Sequence, residues 1–133
     1  MGFMTKRPRI QLEHEGHALD MEIALCTSFW ARLRGLVLSG PLGAKDGILL
    51  APCNSVHTLG MSEAIEAVFL SKDLQILKIS SPLKPWRSLS GCRRAWGVIE
   101  WQPGHALRLG LREGMQLKKR SPEQGATSLE AGR

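Results

Sequence analysis

The chain has 133 residues, a formal charge of +6, 43% hydrophobic and 23% charged residues, seven prolines and fourteen glycines. That length fits one domain that buries a core without staples, and the composition excludes a disordered or fibrous chain. No window approaches the roughly 20 apolar residues of a membrane span, so no span is expected.

The N-terminus, Met1-Gly2-Phe3-Met4-Thr5-Lys6-Arg7-Pro8-Arg9, starts basic but has no apolar run behind it. It therefore does not read as a secretory signal, and a cytoplasmic location is expected unless a precursor segment was removed. Cys26, Cys53 and Cys92 are odd in number and lack C-x-x-C spacing, which favours reduced thiols over a disulfide framework.

Residues 1–17 are expected as a flexible arm. From Ala18 to Cys26 the apolar Leu19, Met21, Ile23 and Leu25 alternate with other residues, a half-buried strand. Thr27 and Ser28 are helix-capping types, and Phe29, Trp30, Leu33, Leu36 and Val37 recur at helical spacing. The pattern predicts one short amphipathic helix over 27–38, ended by Ser39-Gly40-Pro41.

Lys45-Asp46-Gly47 is a turn before a short strand, Ile48 to Ala51. Residues 53–61 are less regular and read as strand with a bulge. Ala64–Leu70 and Leu74–Ile79 form a hairpin around Ser71-Lys72-Asp73. Residues 80–93, with two prolines and four serines, read as a long loop. Ala95–Trp101 is a further strand turned by Gln102-Pro103-Gly104-His105, and Met115–Lys118 is the last. Residues 119–133 are expected to be a disordered tail, leaving one domain over 18–118. The fold class is mainly β: a compact antiparallel barrel or sandwich with one helix against it.

Several stretches form an ordered set. They are Ala24-x-x-Thr27 with Arg32-x-x-Gly35-Leu36, Asp46 to Leu50, Cys53-Asn54-Ser55-Val56-His57-Thr58 with Met61, and Ile65 to Leu70. Pro85-Trp86-Arg87, Ala95 to Glu100, Pro103-Gly104 and Gly110 to Gly114 follow. Over roughly residues 20–118 this set resembles the uncharacterised family called domain of unknown function 192, or UPF0127. The resemblance implies a compact, mainly β fold and supplies no reaction. Many members carry an export signal, and this sequence shows none. It departs from the family at Leu59-Gly60-Met61-Ser62, where an aromatic usually precedes the methionine and a basic residue follows it. It departs again at Glu66, usually Asp, and at Gly114-Met115, usually Gly-Asp.

Three sets of residues carry chemistry. Cys53 and His57 are a nucleophile–base or metal-ligand type of pair. On a regular strand, however, they share a face about 13 Å apart, and only a bulge would join them. A buried thiol and a backbone-bonded imidazole is the plainer alternative. Glu66 interrupts an apolar strand, either as a paired carboxylate or as a cleft-rim group facing His57. Between Lys84 and Trp101 there are three Trp and four basic residues, and a single acid, Glu100. Arg and Trp together suit an anion, although Trp96 and Trp101 also suit a core. His14, His17 and His105 read as surface residues.

There is no phosphate loop, dinucleotide motif or metalloprotease motif, so no cofactor is expected and no metal site is assigned. The leading expectation is a non-enzymatic binding or accessory module. It would hold a peptide segment or small anionic ligand in a cleft near Asn54, His57, Glu66, Trp86 and Arg87. The alternative is a hydrolytic or metal-assisted enzyme centred on Cys53 and His57. Nucleic-acid binding through the basic loop and termini ranks last, because Glu13, Glu15, Asp20 and Glu22 dilute the basic N-terminal region.

Overall fold

The computed structural model describes residues 8–27 and 42–121. In chain order the strands are β1 (Arg9–Ile10), β2 (Leu12–His14), β3 (His17–Ala18), β4 (Glu22–Cys26), β5 (Asp46–Leu50) and β6 (Ser55–His57). They continue as β7 (Ile65–Leu70), β8 (Ile76–Leu83), β9 (Leu89–Gly91) and β10 (Gly97–Trp101). The short helix α1 (His105–Leu109) and β11 (Lys118–Lys119) follow.

A six-stranded sheet runs β1-β4-β5-β10-β7-β8, with β1 and β8 at its edges. Two smaller sheets, β11-β2-β3 and the β6-β9 ribbon, accompany it in a sandwich-like arrangement. The pairing is antiparallel except for β4 with β5, which run parallel from Glu22↔Asp46 to Cys26↔Leu50. A parallel pair needs a crossover connection, and residues 27–45 make it. The helix expected over 27–38 lies, apart from Thr27, outside the described residues.

The expected strand-rich core is present. β7 and β10 are buried at every position. Both faces of these strands are covered, so their sequences are nearly continuous apolar runs rather than alternating ones. β10 sits between β5 and β7, with Val98 opposite both Leu50 and Phe69 and Ile99 opposite Leu49 and Val68. Packing there is tight: a Cβ on Gly97 would lie 3.2 Å from Leu49 Cδ1 and 3.2 Å from the Leu50 carbonyl oxygen. The predicted hairpin at 71–73 forms, with the Leu74 amide donating to the Ser71 carbonyl and the Ser71 amide to that of Gln75.

Four boundaries differ from the sequence expectation. Residues 9–17, placed in the flexible arm, supply β1 to β3 together with Ala18, and Leu12 is fully buried. The Ile10-Gln11-Leu12-Glu13 alternation is too short to signal a strand until a partner edge exists. The loop expected over 80–93 is shorter, because β8 runs through Leu83 and β9 occupies Leu89–Gly91. After the turn at Pro103-Gly104 the chain forms α1, five residues being too few for helical periodicity. Lys119 and Arg120, placed in the expected tail, are tied to the domain: Lys119 pairs with Leu12, and the Arg120 amide donates to the Gln11 carbonyl.

Candidate functional site

Thr58 organises one end of the domain. It follows β6, is fully buried, and its hydroxyl donates to the Lys84 carbonyl at 2.6 Å. The same hydroxyl accepts the Ser88 amide at 3.0 Å, while the Thr58 amide donates to the Ser88 carbonyl. The Trp86 amide closes the set by donating to the Thr58 carbonyl at 2.9 Å. One threonine thus holds the whole 84–88 loop against the end of β6.

The held loop has an unusual tip. Trp86 has φ of 69°, the left-handed region that non-glycine residues rarely occupy, and its side chain is 63% exposed. Leu59, at 57%, and Leu89, at 78%, are exposed beside it, so three of the four large exposed apolar side chains among the described residues sit on this ribbon and its loops. His57 lies opposite Leu89 on the outward face of the β6–β9 ribbon, while Val56 and Ser90 turn inward. Lys84 and Arg87 flank Trp86 and are exposed. At the far end of the ribbon, the Cys92 amide donates to the Asn54 carbonyl, and the turn beyond it carries the exposed Arg93 and Arg94.

From Leu74 to Ile99 the chain contains no Asp or Glu. None of Lys84, Arg87, Arg93 and Arg94 enters the ion pairs of the described residues, which use His14, Lys45, Arg108 and Arg120. The one acid between Pro52 and Ile65 is Glu63.

Asn54, His57, Trp86 and Arg87, singled out from sequence, therefore lie on one ribbon and its loop. Glu66 does not join them. Its carboxylate is buried and accepts three hydrogen bonds: from Trp101 Nε1 at 2.6 Å, the Ala106 amide at 2.7 Å and the Gly104 amide at 3.0 Å. The expected rim group facing His57 is instead an internal tie between β7, β10 and the first turn of α1. The Cys53 thiol donates to the Ser55 carbonyl at 3.2 Å.

Two groups escaped the sequence reading. Glu100, in the middle of β10, is 5% exposed, and burial pushes its carboxyl up to about 7. Its cross-strand neighbours are Ile48 and Ala67, neither of which offers a polar side chain. The signal was present in the sequence, a single acid inside Val98-Ile99-Glu100-Trp101, but an acid in a strand is more often on a wet face. His105, read as a surface residue, is half-buried and edge-on to Trp101 at 5.9 Å between ring centroids. Its Nδ1 accepts from Arg108 Nε at 3.1 Å, and its buried Nε2 has no hydrogen-bond partner.

Among the described residues no group of three or more His, Cys, Asp or Glu is placed to hold a metal ion. No helix among them is long and apolar enough to cross a membrane.

The DUF192 family model, whose description reads Uncharacterized ACR, COG1430, matches residues 10–119. A UPF0127 protein of Pyrococcus furiosus is 28% identical over 107 residues, covering 78% of this chain and 91% of that protein. Two solved structures share the fold. One, from Sinorhizobium meliloti, is named "putative transcription regulator"; it aligns with a TM-score of 0.72 at 19% identity, over 84% of this chain and 92% of that one. The other, a protein of unknown function from Novosphingobium aromaticivorans, aligns with a TM-score of 0.71 at 16% identity, over 84% of each chain. At these identities the two structures speak for the fold alone.

Proposed function

The chain belongs to the DUF192 family, and on that premise we propose that it is a non-enzymatic binding module holding an anionic ligand against the β6–β9 ribbon and the 84–88 loop. The observation that carries this reading is Trp86. A left-handed backbone costs a non-glycine residue about 1 kcal/mol or more, and exposing an indole forgoes its burial. The fold accepts both disadvantages at one residue, then fixes that residue through the buried Thr58. Strain of this kind recurs where a side chain must be presented to something outside the chain.

The ligand's charge follows from the surroundings. Lys84 and Arg87 border the indole, and no acid answers them within residues 74–99. A guanidinium offers charge-assisted hydrogen bonds to a carboxylate or phosphate, and the indole offers a flat apolar contact. His57 and Asn54 add polar groups along the same ribbon. Glu66 is withdrawn from the expected ligand-binding set, since its carboxylate already accepts three donors.

Calorimetric titration with citrate and with an acidic hexapeptide tests the reading. Binding should weaken at least tenfold in Arg87→Ala and in Trp86→Gly. Thermal stability of Trp86→Gly should stay within about 1 kcal/mol of the parent, because relief of the left-handed φ offsets the greater unfolded-state freedom of glycine. Affinities that neither substitution changes would overturn it.

A further inference from the structure

The β6–β9 ribbon has a free side whose chemistry selects a kind of ligand. In an antiparallel pair, residues alternate between those that bond across the pair and those whose amides and carbonyls point away. The Cys92 amide bonds the Asn54 carbonyl and the Thr58 amide bonds the Ser88 carbonyl. These bonds set the phase, so Val56 faces Ser90 as the bonded pair between them. Ser55 and His57 consequently direct their amides and carbonyls away from β9.

No strand of the described residues lies beyond β6, the ribbon having two members. The far edge of β9 differs, because Lys78 Nζ donates to the Gly91 carbonyl at 2.8 Å. Of the two edges, β6 is the open one. Ser55 and His57 are both exposed. The Ser55 carbonyl is engaged by the Cys53 thiol; the Ser55 amide and both His57 groups remain for a ladder.

Resting on the binding reading above, we infer that the ligand is an extended acidic segment of another protein, added as a third strand on the β6 edge. Main-chain pairing would supply affinity, and alternate side chains would supply selection. The ribbon's outward face carries the apolar Leu89 at its Thr58 end, opposite His57, with Leu59 and Trp86 beyond that end. Cations stand at both ends: Lys84 and Arg87 by Thr58, Arg93 and Arg94 by Asn54. Positions 54 to 58 span roughly 13 Å at about 3.3 Å per residue. The fitting segment therefore has an aliphatic residue between acids on both flanks. A nucleic-acid strand would use the cations and the indole but would leave the ladder edge and the exposed leucines without a match, which favours the peptide.

The test uses the whole protein and four fluorescein-labelled probes followed by anisotropy. The first is an eight-residue peptide with a central Val-Leu-Val and Asp or Glu flanks. Two others are the same peptide N-methylated at odd or at even positions, and the fourth is an eight-nucleotide single strand. Citrate serves as competitor. The expected result is that the parent peptide binds, that one N-methyl series loses at least tenfold while the other loses little, and that Arg87→Ala and Arg94→Ala each weaken binding at least threefold. Hydrogen exchange at the Ser55 and His57 amides should slow at least tenfold on binding. Equal affinity of both N-methyl series for the protein, or tighter binding of the oligonucleotide, would overturn the strand-addition proposal. If citrate binds through Trp86 and Arg87 and the peptide gains nothing over it, the binding module stands and strand addition falls. If no probe and no citrate binds, both fall.

Discussion

Glu66 Oε2 lies 2.6 Å from Trp101 Nε1, and the two residues face each other across β7 and β10. The same carboxylate takes the Gly104 and Ala106 amides. Those amides belong to the start of α1, where no side chain of the helix itself acts as a cap. One acid therefore satisfies the buried Trp101 indole and Ala106 amide, which would otherwise lack partners, and the Gly104 amide at the rim.

Removing that acid should cost more than an ordinary surface change. Hydrogen bonds to charged acceptors contribute about 1.5–3 kcal/mol each, and they do not add. Glu66→Ala is expected to lower the unfolding free energy by about 3 kcal/mol, and Glu66→Gln by less, because one amide oxygen still accepts. Urea midpoints at constant m-value measure both. A loss below about 1 kcal/mol for the alanine variant would mean that the three donors find water instead.

Gly97 makes a second prediction about the same central strand. A methyl group there meets Leu49 Cδ1, which can shift, and Ala51 Cβ at 3.3 Å and the Leu50 carbonyl oxygen at 3.2 Å, which are fixed by the backbone. Gly97→Ala should destabilise by about 1–3 kcal/mol through overpacking, with no gain from the smaller backbone freedom of alanine. Thermal unfolding of the two proteins decides it.

The central sheet was legible from sequence because its apolar runs are five or six residues long and bounded by turn residues. β1 to β3 were not, since each is two or three residues: β1 gains its partner from β4 and β2 from Lys118 and Lys119, far along the chain, while β3 pairs with β2. The same limit applies to the site. Trp86 and Arg87 stand out by composition, and Asn54 and His57 by their place in the Cys53–Thr58 stretch that resembles the family. The placing of Trp86 and Arg87 at the end of β6 depends on Thr58, an unremarkable residue whose importance is a matter of distances. Glu66 was visible as an acid within an apolar strand, yet its direction was not. The donors it meets come from residues 101 to 106.

Thr58 supplies a prediction that separates stability from presentation. Thr58→Val keeps the shape but removes the acceptor of the Ser88 amide and the donor to Lys84. The cost should be about 1–2 kcal/mol, near that of leaving one buried amide unpaired. The 84–88 loop should also loosen, so that the Trp86 and Ser88 amides exchange at least tenfold faster while those of β7 and β10 change only by the global loss of stability. Uniform acceleration across all amides would show that Thr58 supports the whole fold and not the loop.

Glu100 ties stability to pH. Its carboxyl is raised from 4.5 to about 7 by burial alone, so between those values the folded chain holds a proton that the unfolded chain has released. Stability from this group is present in full below about pH 4.5 and is lost as pH rises through about 7. At about 1.4 kcal/mol per unit, a shift of this size corresponds to roughly 3 kcal/mol between the two limits. Glu100→Gln keeps the shape without the titration. It should therefore be nearly as stable as the parent at pH 5 and more stable by about 2–3 kcal/mol at pH 8, with a flatter pH profile. Urea unfolding of both proteins at the two pH values measures the difference. A variant that is less stable than the parent at pH 8 would mean that the ionised carboxylate is stabilised in the folded chain, and that the sheet around Ile48 and Ala67 is more polar than its residues imply.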